Sequence, residues 1–161
     1  MTHHESTEPS SPDRTAGDYV VSADPARLDT LAIHSYLQRA YWSEGIPFEI
    51  VDRAVKASLC IGAYDRSGNQ VGLVRLISDH ATFCYVCDVY VLEPHRRRGL
   101  SKAMMAMALQ HPKLQGLRRW SLGTLDAHGL YRQFGFSALA FPERHMELTV
   151  PDIYEKLALE V

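Results

Sequence analysis

A strand, a basic turn and a helix follow one another between Val89 and Lys102, and their residue types suit the binding of an anion. Residues 89–92 are mostly apolar, and three arginines, Gly99 and Lys102 come directly after them. The first N–H groups of a helix have no intrahelical partners, and the helix dipole adds about half a positive charge at the same end. Phosphate groups bind there, and arginine and lysine supply further charge-assisted donors. The segment therefore predicts a phosphate site.

The helix that follows the turn is predicted to lie on a sheet. Leu100, Ala103, Met104, Met107 and Ala108 recur at helical spacing and form one apolar face. Gly99, directly before this helix, lets the backbone approach an anion closely. The strand, the turn and the helix are thus expected to act as one unit.

Two segments of the chain carry motifs of a known kind. They are Arg96-Arg97-Arg98-Gly99-Leu100-Ser101 and Leu130-Tyr131-Arg132-Gln133-Phe134-Gly135-Phe136. The first resembles the Q/R-x-x-G-x-G/A pyrophosphate loop of the GNAT family of N-acetyltransferases, and the second resembles the downstream signature of that family. Ser101 stands where the family usually has glycine or alanine, but serine is small and its hydroxyl can donate a hydrogen bond. The resemblance covers roughly residues 19–150.

The resemblance implies an α/β fold with a mixed, mostly antiparallel central sheet flanked by helices on both faces. It also implies acetyl-CoA as co-substrate and direct transfer of the acetyl group to a primary amine. By the same resemblance, the backbone groups of Val89 and Val91 hold the pantetheine arm. The residues that the resemblance implies for binding the pyrophosphate are Arg96, Arg97, Arg98, Gly99, Leu100, Ser101 and Lys102.

Three catalytic tasks follow for such an enzyme. An amine with a pKa of about 10.4 must lose a proton before it attacks; the candidate bases are Asp88 first, then Glu44, and His128 with less support. Tyr131 matches the family tyrosine that protonates the departing thiolate. Backbone amides of residues 89–91 are candidates for stabilising an oxyanion. The alternative for Asp88 is a structural or substrate-anchoring role, and the alternative for Tyr131 is packing as a half-buried side chain. For residues 89–91 the alternative is an ordinary strand that is paired on both sides.

The acceptor is predicted to bind near an aromatic loop before the second helix. Tyr41, Trp42, Ile46 and Phe48 are candidates for its walls, and Tyr85, Asp88, Asp126 and His128 supply polar groups. These residues favour a small cationic or amphipathic amine. A peptide or protein amine remains an alternative acceptor, and the alternative role of the aromatic residues is a hydrophobic lid that packs on the core. For the chain as a whole, the alternatives are a non-catalytic CoA-binding module and nucleic-acid binding through residues 95–98.

Metal and redox chemistry are not expected. Cys84 and Cys87 have the spacing of a redox or metal motif, but residues three apart in a strand point to opposite faces. The eight histidines show neither the i, i+4 pairing of a zinc helix nor a cysteine partner at finger spacing. The three cysteines are expected to be free thiols.

Composition favours one domain over residues 19–161, after a disordered tail of residues 1–18. A chain of 161 residues with 46% hydrophobic content suits one core. The tail holds four acidic residues and one arginine, so the remainder is close to neutral, which argues against a nucleic-acid partner. The sequence shows neither an apolar segment of membrane length nor a secretion signal. We therefore expect a cytoplasmic location and no membrane partner. A homodimer is compatible with the sequence.

The remaining elements are predicted from periodicity and turn residues. A short helix over residues 127–134 should have Asp126 as its N-cap and Gly135 just past its end. The other predictions are strands over residues 19–22, 58–64, 70–77, 82–92, 118–122, 136–140 and 146–150, and helices over residues 25–38 and after Pro47.

Overall fold

A six-stranded sheet forms the centre of the computed structural model, which describes residues 11–160. The strands lie side by side in chain order, and every neighbouring pair is antiparallel except β5 and β6, which are parallel. The elements are β1 Arg14–Ala16, β2 Tyr19–Ser22, α1 Thr30–Leu37, α2 Phe48–Lys56, β3 Leu59–Tyr64, β4 Gln70–Ser78, β5 Phe83–Val91, α3 Leu100–Gln110, β6 Arg119–Leu122, α4 His128–Arg132 and α5 Ile153–Leu159.

The helix α3 covers one face of the sheet and provides the crossover that parallel strands require. Met104, Met105 and Met107 are fully buried in this layer. They belong to a cluster with Val21, Ile61, Val74, Leu76, Cys84, Val86 and Val91 of the sheet. The apolar spacing noted in the sequence thus places α3 directly beneath the strand that precedes its own loop.

The other face is covered by α1 and α2. Ile33 and Leu37 of α1 and Val51 and Val55 of α2 pack on Leu73 and Tyr90 in a second cluster. Asp29 caps α1 by accepting a hydrogen bond from the Ala32 N–H at 3.0 Å. A short turn over Pro25–Arg27 precedes this cap, so the helix predicted over residues 25–38 is interrupted. The mixed, mostly antiparallel sheet with helices on both faces is confirmed.

The predicted tail ends earlier than expected, because Arg14–Ala16 forms β1 on the edge of the sheet. Asp13 is also held in place, since its carboxylate accepts hydrogen bonds from the Ser22 hydroxyl and the Arg27 guanidinium. The boundary at residue 18 is therefore wrong for these residues. Residues 1–10 lie outside the described part of the chain.

The two final strands predicted over residues 136–140 and 146–150 are absent from the described structure. Residues 136–152 are irregular apart from a short turn at Pro142–Arg144, and α5 follows them. The prediction relied on apolar alternation, and alternation forms a strand only when a neighbouring strand supplies hydrogen bonds. Met146 and Leu148 are 98% and 96% exposed.

Two further observations concern residues 11–160. No helix there is long and apolar enough to cross a lipid bilayer. Cys60, Cys84 and Cys87 are free thiols. Cys84 is buried beneath α3, whereas Cys87 lines the groove described next.

Candidate active site

A groove opens where β5 and β6 separate. Their parallel pairing runs from Phe83 opposite Arg119 to Val86 opposite Leu122, and β6 then ends. The second half of β5, residues 87–91, keeps β4 on one side and has the groove on the other. The groove has a volume of about 880 Å³. Backbone groups on that side of β5 are therefore available to a ligand.

A β-bulge at Asp88 shapes the floor of this groove. Leu73 pairs with Tyr90 and Arg75 with Cys87, so β5 has one residue more than β4 between these pairs. Asp88 has φ = 50°, a backbone conformation that is rare for residues other than glycine. The extra residue resets the alternation of side chains, so Val91 joins the cluster beneath α3 and Tyr90 faces α1 and α2.

The bulge was not predicted from the sequence, although one signal for it exists. Cys84 and Val86 continue one apolar alternation, and Val89 and Val91 continue another that is shifted by one residue. A single inserted residue at position 87 or 88 accounts for this shift.

The basic turn lies at one end of the groove. Gly99 has φ = 74° and directly precedes α3 as its N-cap residue, and Arg97 also has a positive φ of 62°. No side chain caps the first turn of α3, so its N–H groups remain available to an anion. The Arg96 Nε donates to the Val91 carbonyl at 2.9 Å and so joins the turn to β5. The residues of this end are His95, Arg96, Arg97, Gly99, Leu100, Ser101 and Lys102.

Arg98 differs from its neighbours because it does not line the groove. Its guanidinium carbon lies 6.0 Å from the centre of the Tyr19 ring. The Tyr19 hydroxyl is 2.9 Å from Nδ1 of His95, so β2 holds the beginning of the turn. His95 itself lines the groove and was not among the predicted site residues.

Tyr131 lines the groove between its two ends. Only 7% of this residue is exposed, and burial, together with the nearby Tyr41 phenol, raises the pKa of Tyr131 to about 12. Its ring contacts Phe136 edge to face, at a centroid distance of 5.9 Å. No residue in the range 11–160 makes a hydrogen bond to its hydroxyl. The phenol is therefore protonated at neutral pH and free to donate.

The short helix α4 positions Tyr131 by means of its two ends. At the C-terminal end, Gly135 has φ = 89°, its N–H donates to the Arg132 carbonyl, and the Phe136 N–H donates to the Tyr131 carbonyl. This is the glycine-ended arrangement that the sequence predicts. At the other end, the Thr124 hydroxyl accepts from the Ala127 N–H, so the prediction of Asp126 as N-cap is wrong. Asp126 instead lines the groove.

Asp88 lies at the centre of the groove with a partner for each carboxylate oxygen. Arg75 Nε donates to Oδ2 at 2.6 Å, and Trp42 Nε1 donates to Oδ1 at 3.0 Å. The ion pair is largely sheltered, with side-chain exposures of 16% for Arg75 and 10% for Asp88. Burial is the largest single influence on the pKa of Arg75 and lowers it, but Asp88, Cys87 and Cys60 together raise this pKa above its ordinary value. Asp88 therefore ties the bulge to β4 and to the aromatic loop.

Aromatic residues form the end of the groove opposite the basic turn. Tyr36 stacks on Tyr90 with ring centres 3.8 Å apart, and Trp42 lies 6.3 Å from Tyr36. Tyr41 and Tyr85 also line this end, as the sequence predicts. Tyr36, Arg39 and Thr124 line the groove without having been predicted, because their positions depend on how α1 and β6 pack rather than on a local motif.

Besides Arg98, four predicted residues do not line the groove. Glu44 is exposed on the aromatic loop, and His128 is exposed at the start of α4. Phe48 packs edge to face against His34 at a centroid distance of 5.6 Å. Ile46, the fourth proposed wall residue, is buried in the cluster beneath α1 and α2. The structure therefore brings Asp88, Asp126 and Tyr131 to one groove and leaves Glu44 and His128 outside it.

Comparison with known proteins identifies the family. The model of the Acetyltransferase (GNAT) family matches residues 26–136. The "Putative acetyltransferase FG08082" of Gibberella zeae is 34% identical over 139 residues, which make up 73% of this chain and 77% of that protein.

Solved structures agree with this result. A "putative acetyltransferase belonging to the gnat family" from Xanthomonas campestris pv. campestris is 49% identical, with a TM-score of 0.81 over 84% of this chain and 96% of that chain. A "predicted acetyltransferase with acetyl-CoA" from Clostridium acetobutylicum is 17% identical, with a TM-score of 0.58 over 81% of this chain and 94% of that one, and shares the fold. This chain belongs to the GNAT family of acetyltransferases.

Proposed function

We propose that this chain transfers an acetyl group from acetyl-CoA directly to a primary amine of a small molecule. The observation that carries the proposal is one groove with three parts. A basic turn lies at one end, the open side of a bulged strand forms the floor, and a protonated tyrosine lies between the ends. Among residues 11–160 the hydroxyl of this tyrosine has no hydrogen-bond partner. Each part meets a separate requirement of acyl transfer.

The residues present fit acetyl-CoA. The uncapped N-terminus of α3 and the side chains of Arg96, Arg97 and Lys102 suit a pyrophosphate. The open side of β5 suits the amides of a pantetheine arm, with Val89 and Val91 as its backbone partners. When bound there, acetyl-CoA supplies the acetyl group as a thioester. Arg98, which lies against Tyr19, has a weaker case for direct contact with the pyrophosphate.

We assign the proton transfers to two side chains of the groove. Tyr131 holds a proton on its hydroxyl and donates it to the leaving sulfur, because burial keeps the phenol neutral. Asp88 accepts the proton of the attacking amine. A carboxylate oxygen has two lone pairs, so each oxygen keeps an acceptor site beside its hydrogen bond to Arg75 or Trp42. These two contacts also fix the direction in which the carboxylate points.

The aromatic end of the groove supports a small cationic or amphipathic amine as acceptor. Tyr36, Tyr41, Trp42 and Tyr85 offer ring faces that attract an ammonium group. Asp126, at the same groove, offers a carboxylate whose charge complements the ammonium. A groove of about 880 Å³ is also within the usual range for small-molecule sites.

The first test is the thermal unfolding of the full chain with acetyl-CoA, using ATP as an anion control. A ligand present at about a hundred times its Kd adds about 2.7 kcal/mol, and each kcal/mol moves a domain of this size by roughly 2–4 °C. We expect a rise with acetyl-CoA and little change with ATP. Equal shifts with both would contradict a CoA-specific site.

The second test measures free-thiol release with a panel of acceptors. We expect turnover with small aryl-alkyl and aliphatic amines, and little with peptides that carry a free N-terminus or lysine. Faster release with peptides would transfer the proposal to a peptide or protein acceptor. A thermal shift with acetyl-CoA but no turnover with any amine would favour a non-catalytic CoA-binding module.

A further inference from the structure

The charged side chains of the active-site groove differ in whether they already have a partner. The arginine, lysine and acidic residues that line it are Arg39, Asp88, Arg96, Arg97, Lys102 and Asp126. Three of them belong to the basic turn, and Asp88 is paired with Arg75. Within residues 11–160, Arg39 and Asp126 make no ion pair. The groove therefore presents one positive and one negative side chain beyond those that the pyrophosphate requires.

Arg39 lies just past the end of α1, at the aromatic end of the groove. It follows Tyr36 and precedes Tyr41, and both of these tyrosines line that end. Its Nε donates to the Ser35 carbonyl at 2.9 Å, which ties the guanidinium group to the last turn of α1. Arg39 is exposed, and its two terminal nitrogens have no hydrogen-bond partner in the described part of the chain. These nitrogens form a planar fork that is available to an anion.

A carboxylate suits this fork better than a phosphate group does. A guanidinium group and a carboxylate are both planar and can form two parallel hydrogen bonds. A phosphate monoester carries a charge of about −1.5 to −2 at neutral pH. Arg39 supplies a single positive charge, and the walls of the same groove include the carboxylates of Asp88 and Asp126. The charges of the groove therefore favour an anionic group with one negative charge.

We propose that the acceptor carries a carboxylate in addition to its primary amine, and that Arg39 binds this carboxylate. The inference rests on the proposed acetyl transfer to a small amine, and it names the class of that amine. The amino group lies near Asp88, and Asp126 attracts its ammonium form. The aromatic side chains contact the body of the acceptor, so amino acids with an apolar or aromatic side chain fit the groove. Arg39 thus determines specificity and takes no part in proton transfer.

The first test compares L-phenylalanine with phenethylamine, which lacks the carboxylate and is otherwise the same molecule. Calorimetry of the full chain saturated with CoA measures the binding of each compound without turnover. We expect phenylalanine to bind about tenfold more tightly, because its carboxylate adds charge-assisted hydrogen bonds to Arg39. Binding of phenylalanine that is absent, or no tighter than that of phenethylamine, overturns the proposal.

Three variants show whether Arg39 is the source of this preference. Arg39→Gln should bind both compounds with the affinity that the wild type has for phenethylamine. Arg39→Lys keeps the charge but loses the fork, so it should keep part of the preference. Asp126→Asn should weaken the binding of both compounds alike, because the ammonium group is common to them. A preference that survives Arg39→Gln overturns the proposal.

Arg144→Gln is the matched control. Arg144 lies in a second groove of about 580 Å³ beside the edge of β6, whose walls include Trp120 and Phe141. Its guanidinium carbon is 3.8 Å from the centre of the Phe141 ring, so this substitution also removes a positive charge from an aromatic surface. The preference for phenylalanine should not change. Equal losses in Arg144→Gln and Arg39→Gln would attribute the preference to net charge and overturn the proposal.

Turnover distinguishes this inference from the proposed function. In free-thiol release, Arg39→Gln should raise the KM for phenylalanine by about tenfold and leave the KM for phenethylamine unchanged. Acetylation of phenethylamine by the wild type with no lower KM for phenylalanine would overturn the inference and leave the proposed function in place. Binding of phenylalanine through Arg39 without thiol release would contradict the proposed transfer and still support a carboxylate site at Arg39.

Discussion

The two halves of β5 have similar residues and different neighbours. Phe83–Val86 is hydrogen-bonded to β4 on one side and β6 on the other, whereas residues 87–91 have only β4. Both halves are rich in aromatic and β-branched residues. The closed half contributes Cys84 and Val86 to the core, and the open half is the floor of the active-site groove. The ligand surface thus arises because the neighbouring strand ends and a bulge turns the backbone.

Removal of the Tyr131 hydroxyl, the proposed proton donor, should have the largest effect on turnover. Tyr131→Phe should lower kcat by about 10²- to 10⁴-fold, because the leaving sulfur loses its proton donor. The affinity for acetyl-CoA, measured by calorimetry, should not change. Tyr64→Phe is the matched control, since Tyr64 is also buried, its pKa is also raised by burial, and its hydroxyl has no partner, but it lies outside the groove. Equal losses in both variants would remove Tyr131 from the mechanism.

Substitution at the bulge tests whether the open half carries the base. Asp88→Asn should lower kcat by roughly 10²-fold, because the attacking amine loses its proton acceptor. Asp126→Asn should keep kcat and raise the KM for the amine, because Asp126 has no role in proton removal. If the activity lost in Asp88→Asn follows the loss of thermal stability, Asp88 is an anchor for Arg75 and Trp42 instead.

The start of α3 can be tested through backbone strain. Gly99→Ala should cost about 1–2 kcal/mol in the left-handed conformation and raise the KM for acetyl-CoA by about tenfold. No atom lies within 4 Å of the added Cβ, so the effect is conformational. Gly116→Ala introduces the same strain at φ = 75° outside the groove, also with open space. It should lower Tm similarly while the KM stays the same. A KM change shared by both variants would contradict the assignment.

A substitution in the aromatic loop should have a smaller effect, which is confined to the KM for the acceptor amine. Trp42→Phe removes the donor to Asp88 and should raise the KM for the amine by about two- to tenfold. The KM for acetyl-CoA should not change, because Trp42 lies at the opposite end of the groove from the basic turn. Steady-state kinetics with each substrate varied in turn would reveal the difference. A larger effect on acetyl-CoA would mean that the two ends are not separate.

The smallest expected effect is a difference in reactivity between the cysteines in the two halves of β5. Cys87 lines the groove, whereas Cys84 is fully buried. An alkylating reagent should therefore modify Cys87 first, and acetyl-CoA should protect it. Burial raises the pKa of Cys87 from 9.0 to about 12, so the thiolate fraction and the rate should rise about tenfold per pH unit between pH 7 and 10. A rate that levels off near pH 9 would contradict the buried environment. Mass spectrometry of the labelled peptides would follow both residues.

Signals that lie within a short stretch of sequence predict this molecule well. The turn at Gly99, the apolar face of α3 and the glycine-ended helix of Tyr131 each depend on residues a few positions apart, and the structure confirms them. The bulge at Asp88 depends on pairing with Arg75, and the roles of Tyr36 and Arg39 in the groove depend on how α1 packs. Such contacts join distant parts of the chain. The shifted apolar alternation in β5 is a local sign of the bulge, but no local motif marks the positions of Tyr36 and Arg39.

Residues 146–150 show the converse. Its alternating residues predict a strand, but a strand also needs an edge with which to pair, and this requirement is not written in the segment itself. The same reasoning applies to Arg14–Ala16, whose composition predicts disorder but which pairs with β2. In both cases the surroundings of a segment, more than its residues, decide its structure.

The chain has two tryptophans, and one lies at each of the two grooves. Trp42 donates to Asp88 in the active-site groove, and Trp120 lines the groove beside the edge of β6. The molecule therefore carries its own pair of optical probes. In a Trp120→Phe background, the fluorescence of Trp42 follows occupation of the active-site groove. In a Trp42→Phe background, the fluorescence of Trp120 follows changes at the edge of β6, so events at the two grooves can be timed separately without an attached dye.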